Sequence, residues 1–184
     1  MTAPSKLIFD QQHLDITIRR LCYQLIENHD DFKNSVIIGI QPRGIYLARR
    51  IVAALADLNL NGIKYGDLDI SFFRDDFRRR EMIVPSATHI DFVIENKKVI
   101  LVDDVLYTGR TIRAALDALL AFGRPEKVEL LVLVNRKFSR HLPIDPDYIG
   151  IGIDTITSDK VKVHWKETEG VDGVWLTQQE KNDE

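Results

Sequence analysis

The chain has 184 residues, a net charge of −3 and a pI near 6.0, and is 45% hydrophobic and 29% charged. That is enough chain for one domain with a full core, and the acidic balance argues against a generally basic nucleic-acid surface while leaving room for a local patch. Cys22 is the single cysteine, which excludes an intrachain disulfide and a cysteine-rich zinc site.

Asp10 is placed to cap a helix running to about Asn28, with Leu14, Ile18, Leu21, Cys22, Leu25 and Ile26 at helical spacing. Cys22 falls on that apolar stripe and reads as a small buried hydrophobe. Arg19 and Arg20 lie off the stripe and read as a solvated face, with an RNA contact as the sharper alternative. Val36 to Ile40 reads as a buried strand. Gln41-Pro42-Arg43-Gly44 then makes a tight turn into a second helix, which turns Ile45, Ala48, Ile51, Val52 and Leu55 inward. A turn after a central strand is where open α/β sheets hold ligands, and an arginine there can grip a diphosphate through bidentate contacts.

Asp67-Leu68-Asp69-Ile70-Ser71 superficially fits an Asp-x-Asp-x-Ser phosphatase nucleophile. Lys64, Tyr65 and Gly66 precede it in place of a buried strand, so the acids are expected at the start of a strand instead. The interval 74–98 carries charge runs and a proline, and reads as a long arm or hairpin able to act as a lid. Arg78, Arg79 and Arg80 within it are candidates to meet a diphosphate or an RNA backbone, although each taken singly reads as a solvated residue.

The stretch Val99 to Thr111 is the densest in chemistry. Four apolar residues open it, the mark of a strand buried on both faces, and Asp103 and Asp104 follow where such a strand should end. Next come Val105, Leu106, Tyr107, Thr108, Gly109, Arg110 and Thr111, a short loop with two threonine hydroxyls and one glycine, leading into a helical pattern from Ile112 to Phe122. Backbone amides in such a loop and at a helix start can hold a phosphate. The adjacent carboxylates can accept hydrogen bonds from a pair of sugar hydroxyls or hold a hydrated Mg²⁺. Diol acceptors beside a phosphate cradle suggest a ribose 5-phosphate.

Gly123 and Pro125 stop the helix. Val128 to Val134 reads as another central strand, with Asn135-Arg136-Lys137 at the same carboxyl edge. Tyr148 to Ile153 is a further strand, whose two glycines fall short of a dinucleotide fingerprint. Val161 to Trp165 and Gly173 to Leu176 alternate like edge strands, His164 reads as a packed or solvated histidine, and the polar tail 178–184 is expected to fray. No run approaches the roughly 18 apolar residues of a membrane span. With no signal peptide visible, a cytoplasmic protein without membrane contact is expected.

Val99 to Thr111 resembles the phosphoribosyl-diphosphate (PRPP) signature of the type I phosphoribosyltransferases. The spelling Asp-Asp-Val-Leu-Tyr-Thr-Gly-Arg-Thr is similar to the PyrR branch, pyrimidine-operon attenuators with uracil phosphoribosyltransferase activity. The resemblance runs from about Leu7 to Leu176. It implies one α/β domain over 1–184: a central, mostly parallel sheet flanked by helices, with a flexible loop and a small hood over the base. It implies transfer of the phosphoribosyl group of PRPP to uracil with Mg²⁺, giving UMP and diphosphate, in a homodimer or higher homo-oligomer. Asp103, Asp104 and Arg43 become the expected catalytic residues, with the two acids also near the metal, directly or through water. Val105 to Thr111 become the phosphate-binding loop, and Pro42, Arg43 and Gly44 the diphosphate loop. In that turn relatives commonly carry a cis peptide, and Pro42 stands where a threonine is usual, so altered local geometry is expected. Arg136 is expected near the nucleotide, with the base edge read by backbone groups around Ile149 to Val161.

Tyr107 stands where many purine enzymes of this class carry an aspartate, which shifts the expectation toward a pyrimidine and leaves a purine enzyme as the alternative. A UMP-responsive RNA-binding regulator is the other alternative. Arg20 matches a basic residue of the first helix, but Arg19, Tyr23, Asn28, Pro42 and Ile151 replace the residues usual for RNA contact, so an RNA partner is doubtful.

Overall fold

The computed structural model describes residues 5–75, 85–154 and 159–178. In chain order the elements are β1 (Ser5–Phe9), α1 (Gln11–His29), β2 (Ser35–Ile40), α2 (Gly44–Asp57), β3 (Lys64–Leu68), β4 (Lys98–Leu106), α3 (Arg110–Leu119), β5 (Lys127–Lys137), β6 (Tyr148–Asp154), β7 (Asp159–His164), α4 (Lys166–Glu169) and β8 (Gly173–Gln178). Single turns of 3₁₀ helix lie at Ser71–Phe73 and Leu120–Phe122.

Five strands form a parallel sheet in the order β3-β2-β4-β5-β6, and three form an antiparallel sheet in the order β1-β8-β7. β2, β4 and β5 start in line, with Ser35 opposite Lys98 and Lys98 opposite Lys127, while β6 starts later, with Tyr148 opposite Leu131. β4 is the middle strand, and its apolar residues divide between two cores by the period of two that a pleated strand imposes. Ile100 and Val102 face a core built with α1, α2 and the small sheet, while Val99 and Leu101 face one built with α3. Burial on both faces explains why these strands read as unbroken apolar runs.

α1 begins where the sequence placed it: the Asp10 side chain accepts from the amide of His13, and Leu14, Ile18, Leu21, Cys22 and Leu25 are buried. Cys22 is fully buried, and burial pushes its thiol up to about 11. β1, which pairs with β8, has no counterpart among the sequence-predicted elements. It makes β8 the middle strand of the small sheet, whereas β8 was expected at an edge.

Two further expectations are overturned. Asp67 and Asp69 lie at the carboxyl end of β3, not at the start of a strand. β3 is the edge of the parallel sheet, so charged and polar residues are tolerated along it, and the backbone of Asp67 pairs with His89 in both directions, at 3.0 and 2.8 Å. The Asp69 side chain is engaged locally, accepting from the amide and hydroxyl of Ser71 and the amide of Ser86. The arm 74–98 is core at its far end: Ile94 is fully buried, and Ile90 and Phe92 pack beside it against the α3 core. Their spacing of two is the strand-like signal that the flanking charges masked. Lys98 already opens β4. Arg78, Arg79 and Arg80, with the rest of 76–84, lie outside the described residues, as does the tail beyond Gln178.

Candidate active site

The carboxyl ends of β2 and β4 are neighbours in the sheet, so the two turns leaving them converge. The first, Gln41 to Gly44, is held on three sides. The Gln41 amide donates to Leu68 O at 2.9 Å, its side-chain amide donates to Ala87 O at 2.7 Å, and the Gln41–Pro42 bond is cis. The cis bond is the geometry the resemblance implies for this turn, here carried by a proline. Gly44, the first residue of α2, sits directly against β4: a Cβ there would lie 2.4 Å from Val102 O and 3.0 Å from Asp103 Cα. Only glycine allows this approach, and it brings Arg43 to the acids.

Arg43 donates through Nε to Asp104 Oδ2 at 3.1 Å, through Nη1 to Glu169 Oε1 at 3.0 Å, and through Nη2 to Val163 O. One guanidinium thus ties the parallel sheet to β7 and α4 of the hood. The arginine beside Glu169 holds that carboxyl down at about 2, although the side chain is partly exposed.

Asp103 and Asp104 were expected where β4 ends, but the strand runs two residues past them to Leu106 because it goes on pairing with β5; both acids are buried, at 6% and 7% exposure. Asp103 Oδ1 accepts from the amide of Asp104 at 2.9 Å. Burial pushes the carboxyl of Asp103 well above the usual carboxylate range, and the neighbouring Asp104 adds to it. Burial raises Asp104 as well, against the opposing pull of Arg43. Two adjacent buried acids, Asp104 paired with Arg43 and Asp103 near the charge of Arg74, are a site that gains when cations or hydroxyl donors arrive.

Two hollows meet over this pair and share Val105. The larger, about 540 Å³, is lined by Arg43, Asp104, Val161, Lys162, Val163, His164 and Glu169. The smaller, about 240 Å³, is bordered by Arg74, Asp103 and the run Leu106 to Ile112. Gly109 adopts φ +91° as the residue before α3 and, having no side chain, does not cap it; the first turn of that helix borders the smaller hollow. The amide of Arg110 approaches Thr108 Oγ1 at 3.4 Å, and the Arg110 guanidinium meets Asp75 at 2.8 Å, outside the cradle. Arg136, 4% exposed, lies with its guanidinium carbon 4.0 Å from the centre of the Tyr107 ring, a cation–π contact that flattens the two side chains together beside the loop. His164 packs on Trp175 with ring centres 4.4 Å apart, as a packed histidine should.

Arg43, Asp103, Asp104, residues 105–111 and Val161 therefore line the two hollows, while Gly44 lies against β4 and Arg136 against Tyr107; Val105 and Leu106 are still in β4 and Arg110 and Thr111 already in α3, so the expected loop 105–111 shrinks to three residues. Ile149 is not brought there. It lies at the amino-terminal end of β6, on the open edge of the sheet, and its carbonyl accepts from Arg20 at 3.2 and 3.3 Å. A carbonyl at a free sheet edge needs a donor, and α1 supplies one. Arg20 is exposed, as its place off the apolar stripe implies, and at that surface its guanidinium serves the β6 edge.

Two site residues had no signal in the sequence. Glu169 lies 126 positions from its partner Arg43 and looks like any acid of a polar segment. Arg140 follows β5 in a loop and reads as a surface charge, yet it donates to the carbonyls of Leu106, Arg136 and Ile144 at 3.3, 3.0 and 3.1 Å.

Comparison with known proteins agrees with this layout. The chain is similar to the protein named "Bifunctional protein PyrR" of Desulfosudis oleivorans, at 46% identity over 168 residues covering 91% of this chain and 93% of that one. It is 43% identical over 172 residues to the protein of the same name from Elusimicrobium minutum, covering 93% and 96% of the two chains. Among solved structures, the hypoxanthine phosphoribosyltransferase of Trypanosoma cruzi superposes with a TM-score of 0.72 at 16% identity, covering 95% of this chain and 97% of that one. That of Staphylococcus aureus gives 0.69 at 17% identity, covering 96% and 93%. At such identities these two speak for the fold. The family description "Phosphoribosyl transferase domain" matches residues 5–168, and with the close relatives it establishes that the chain belongs to the type I phosphoribosyltransferases, on their PyrR branch.

Proposed function

We propose that this protein transfers the 5-phosphoribosyl group from PRPP to uracil, forming UMP and releasing diphosphate. The observation that carries the reading is the buried pair Asp103 and Asp104, one bordering each of the two hollows, with Arg43 on one side and the loop before α3 on the other.

The loop from Leu106 to Thr111 holds the 5-phosphate through main-chain amides, helped by the Thr108 and Thr111 hydroxyls. This anchoring fixes the sugar over the acids and supplies the proximity effect. Asp103 and Asp104 accept from the ribose diol and place negative charge beneath a ring that becomes cationic as the C1–oxygen bond to diphosphate breaks. Arg43 stabilises the charge that develops on the departing diphosphate. Hood residues Val161, Lys162 and Val163 wall the larger hollow, where they restrict water from the reacting carbon.

Mg²⁺ fits this donor set as a cation brought with the diphosphate. Among the described residues no three acidic, histidine or cysteine side chains gather into a metal cage, and Mg²⁺ is ordinarily held by one or two carboxylates, water and substrate phosphates. Asp103 and Asp104 would hold it, and when bound it would neutralise charge on the diphosphate oxygens.

Uracil is favoured over a purine because Tyr107 occupies the loop position at which purine-type relatives carry an acid, and its ring is covered by Arg136. Arg20, the basic residue of α1 that matched an RNA contact, is engaged with the carbonyls of Ile149 and Gly150, so catalysis is proposed as the main activity and attenuation is not. Steady-state assays with uracil, hypoxanthine and guanine test the choice of base. Uracil turnover at background, or faster turnover of a purine, defeats it. Tight, UMP-enhanced and salt-sensitive filter binding to the organism's own pyrimidine leader would restore the regulatory reading.

A further inference from the structure

We infer that Arg140 is a positioning residue that sets the direction of the main-chain amides in the phosphate-binding loop, working from behind it. The inference rests on the reading that this loop holds the 5-phosphate of the substrate.

The argument starts from the peptide unit. A trans peptide is planar, so its carbonyl and the N–H of the next residue point in opposite directions. Fixing a carbonyl on one side of the loop therefore presents the following amide on the other. The Nη1 group of Arg140 donates to Leu106 O at 3.3 Å and also to Tyr107 O. The Tyr107 carbonyl lies in addition 3.5 Å from the Ser139 hydroxyl, and the amide of His141 donates to Thr108 O at 3.0 Å. Three successive carbonyls, of Leu106, Tyr107 and Thr108, are thus drawn back toward the segment 139–141. The amides of Tyr107, Thr108 and Gly109 are the ones turned away from that segment, and these residues border the smaller hollow.

The arginine is held in place by its other donors. Nη1 also reaches Arg136 O at 3.0 Å, Nε reaches Ile144 O at 3.1 Å, and Nη2 reaches the side-chain oxygen of Asn135. All five acceptors are neutral, four carbonyls and one amide, so the guanidinium acts as a rigid fork with its charge uncancelled by them. Packing supports the same brace: at Gly109 a Cβ would lie 3.2 Å from Ile144 Cδ1 and 3.5 Å from Leu142 Cβ, so the loop is seated directly on the segment that Arg140 organises.

A lysine keeps the charge but cannot span these acceptors. Titration calorimetry with ribose 5-phosphate, and separately with magnesium diphosphate, on the whole protein and on Arg140→Lys and Arg140→Met provides the test. Both variants should bind ribose 5-phosphate about 10- to 100-fold more weakly, the loss expected when hydrogen bonds to a charged ligand are misaligned. Diphosphate, which reads the Arg43 side, should stay within about twofold. A second variant, His141→Pro, deletes the amide that holds Thr108 O while keeping the arginine side chain, and should weaken ribose 5-phosphate by at least about 3- to 10-fold. Full affinity in Arg140→Lys would overturn the brace in favour of charge alone. Equal losses for both ligands, or unchanged ribose 5-phosphate affinity in folded variants, would overturn it outright. If the unsubstituted protein itself fails to bind ribose 5-phosphate, the functional reading falls first, and this inference with it.

Discussion

The parallel sheet carries a buried polar cluster at each end, and the two are built differently. At the amino-terminal end, His29 joins Ser35 through Nδ1 at 2.8 Å and Glu129 through Nε2 at 2.8 Å, while the Tyr148 hydroxyl donates to the same carboxylate at 2.8 Å. Lys127 closes the ring on the other oxygen of Glu129 at 2.6 Å, and Phe32 stacks on the imidazole. At the carboxyl edge, Arg43 bonds Asp104, the Asp104 amide bonds Asp103 beside the charge of Arg74, and the two acids border two hollows. Their pKa directions record the contrast. The Glu129 carboxyl is held below its usual range by Lys127 and Tyr148 in spite of burial, whereas Asp103 and Asp104 are raised by burial that their neighbours do not offset. A buried polar group completed from within the fold is architecture. A pair whose charged forms burial disfavours, set beside a cavity, is held ready for a ligand.

The largest effect that would break this contrast concerns the acids. In the double variant Asp103→Asn, Asp104→Asn, turnover should fall by about 100- to 1,000-fold, because the charge beneath the sugar is lost. Stability should not fall with it. A carboxyl whose folded pKa is raised loses stability as pH rises above its ordinary value near 3.8. Amides escape that cost, so the thermal midpoint at neutral pH should be equal or higher. Paired kinetics and thermal melts check both halves, and retained turnover would sink the assignment.

The amino-terminal cluster should behave in the reverse sense. Truncating His29 or Glu129 to alanine leaves buried polar partners unsatisfied and should cost about 2 to 4 kcal/mol in urea unfolding. The KM for PRPP should stay within about twofold, since nothing in that cluster reaches the cleft. A large change in KM with stability intact would mean that the two ends are coupled and the comparison is wrong.

The smallest effect sharpens the picture at the join between sheet and hood. The Glu169 carboxyl is held at about 2 by Arg43, against an ordinary value of 4.5. A depressed carboxyl contributes stability that is fully present above the ordinary value and is lost as pH falls through the depressed one. The difference in thermal midpoint between the unsubstituted protein and Glu169→Gln should therefore hold steady above pH 4.5 and shrink toward pH 2. A difference that does not vary with pH would show that the ion pair of Glu169 with Arg43 is not what binds the hood to the core.

Much of this was legible in the chain itself. β2, β4 and β5 declare themselves as continuous apolar runs because both faces are covered, and α1 and α2 by a helical stripe with a cap or a turn before it. The central motif could be placed because everything it needs is local: a strand end, two acids, a glycine and a helix start within thirteen residues. Reading failed where pairing across the chain overrides local preference. β3 accepts its acids because it is an edge strand, and β1 and β8 find their roles only in each other.

The amino-acid sequence by itself determined which strands are buried, which turn carries the acids and the phosphate-type loop, and what class of chemistry those side chains suit. Such features depend on residues close together along the chain, where spacing alone fixes geometry. Tertiary structure alone decided that Glu169 would meet Arg43, that Arg20 would cap Ile149, and that Arg140 would stand behind the loop. An arginine reaches its partners through a long side chain across any separation in sequence, so nothing written locally reveals which carbonyl or carboxylate the fold will bring within its reach.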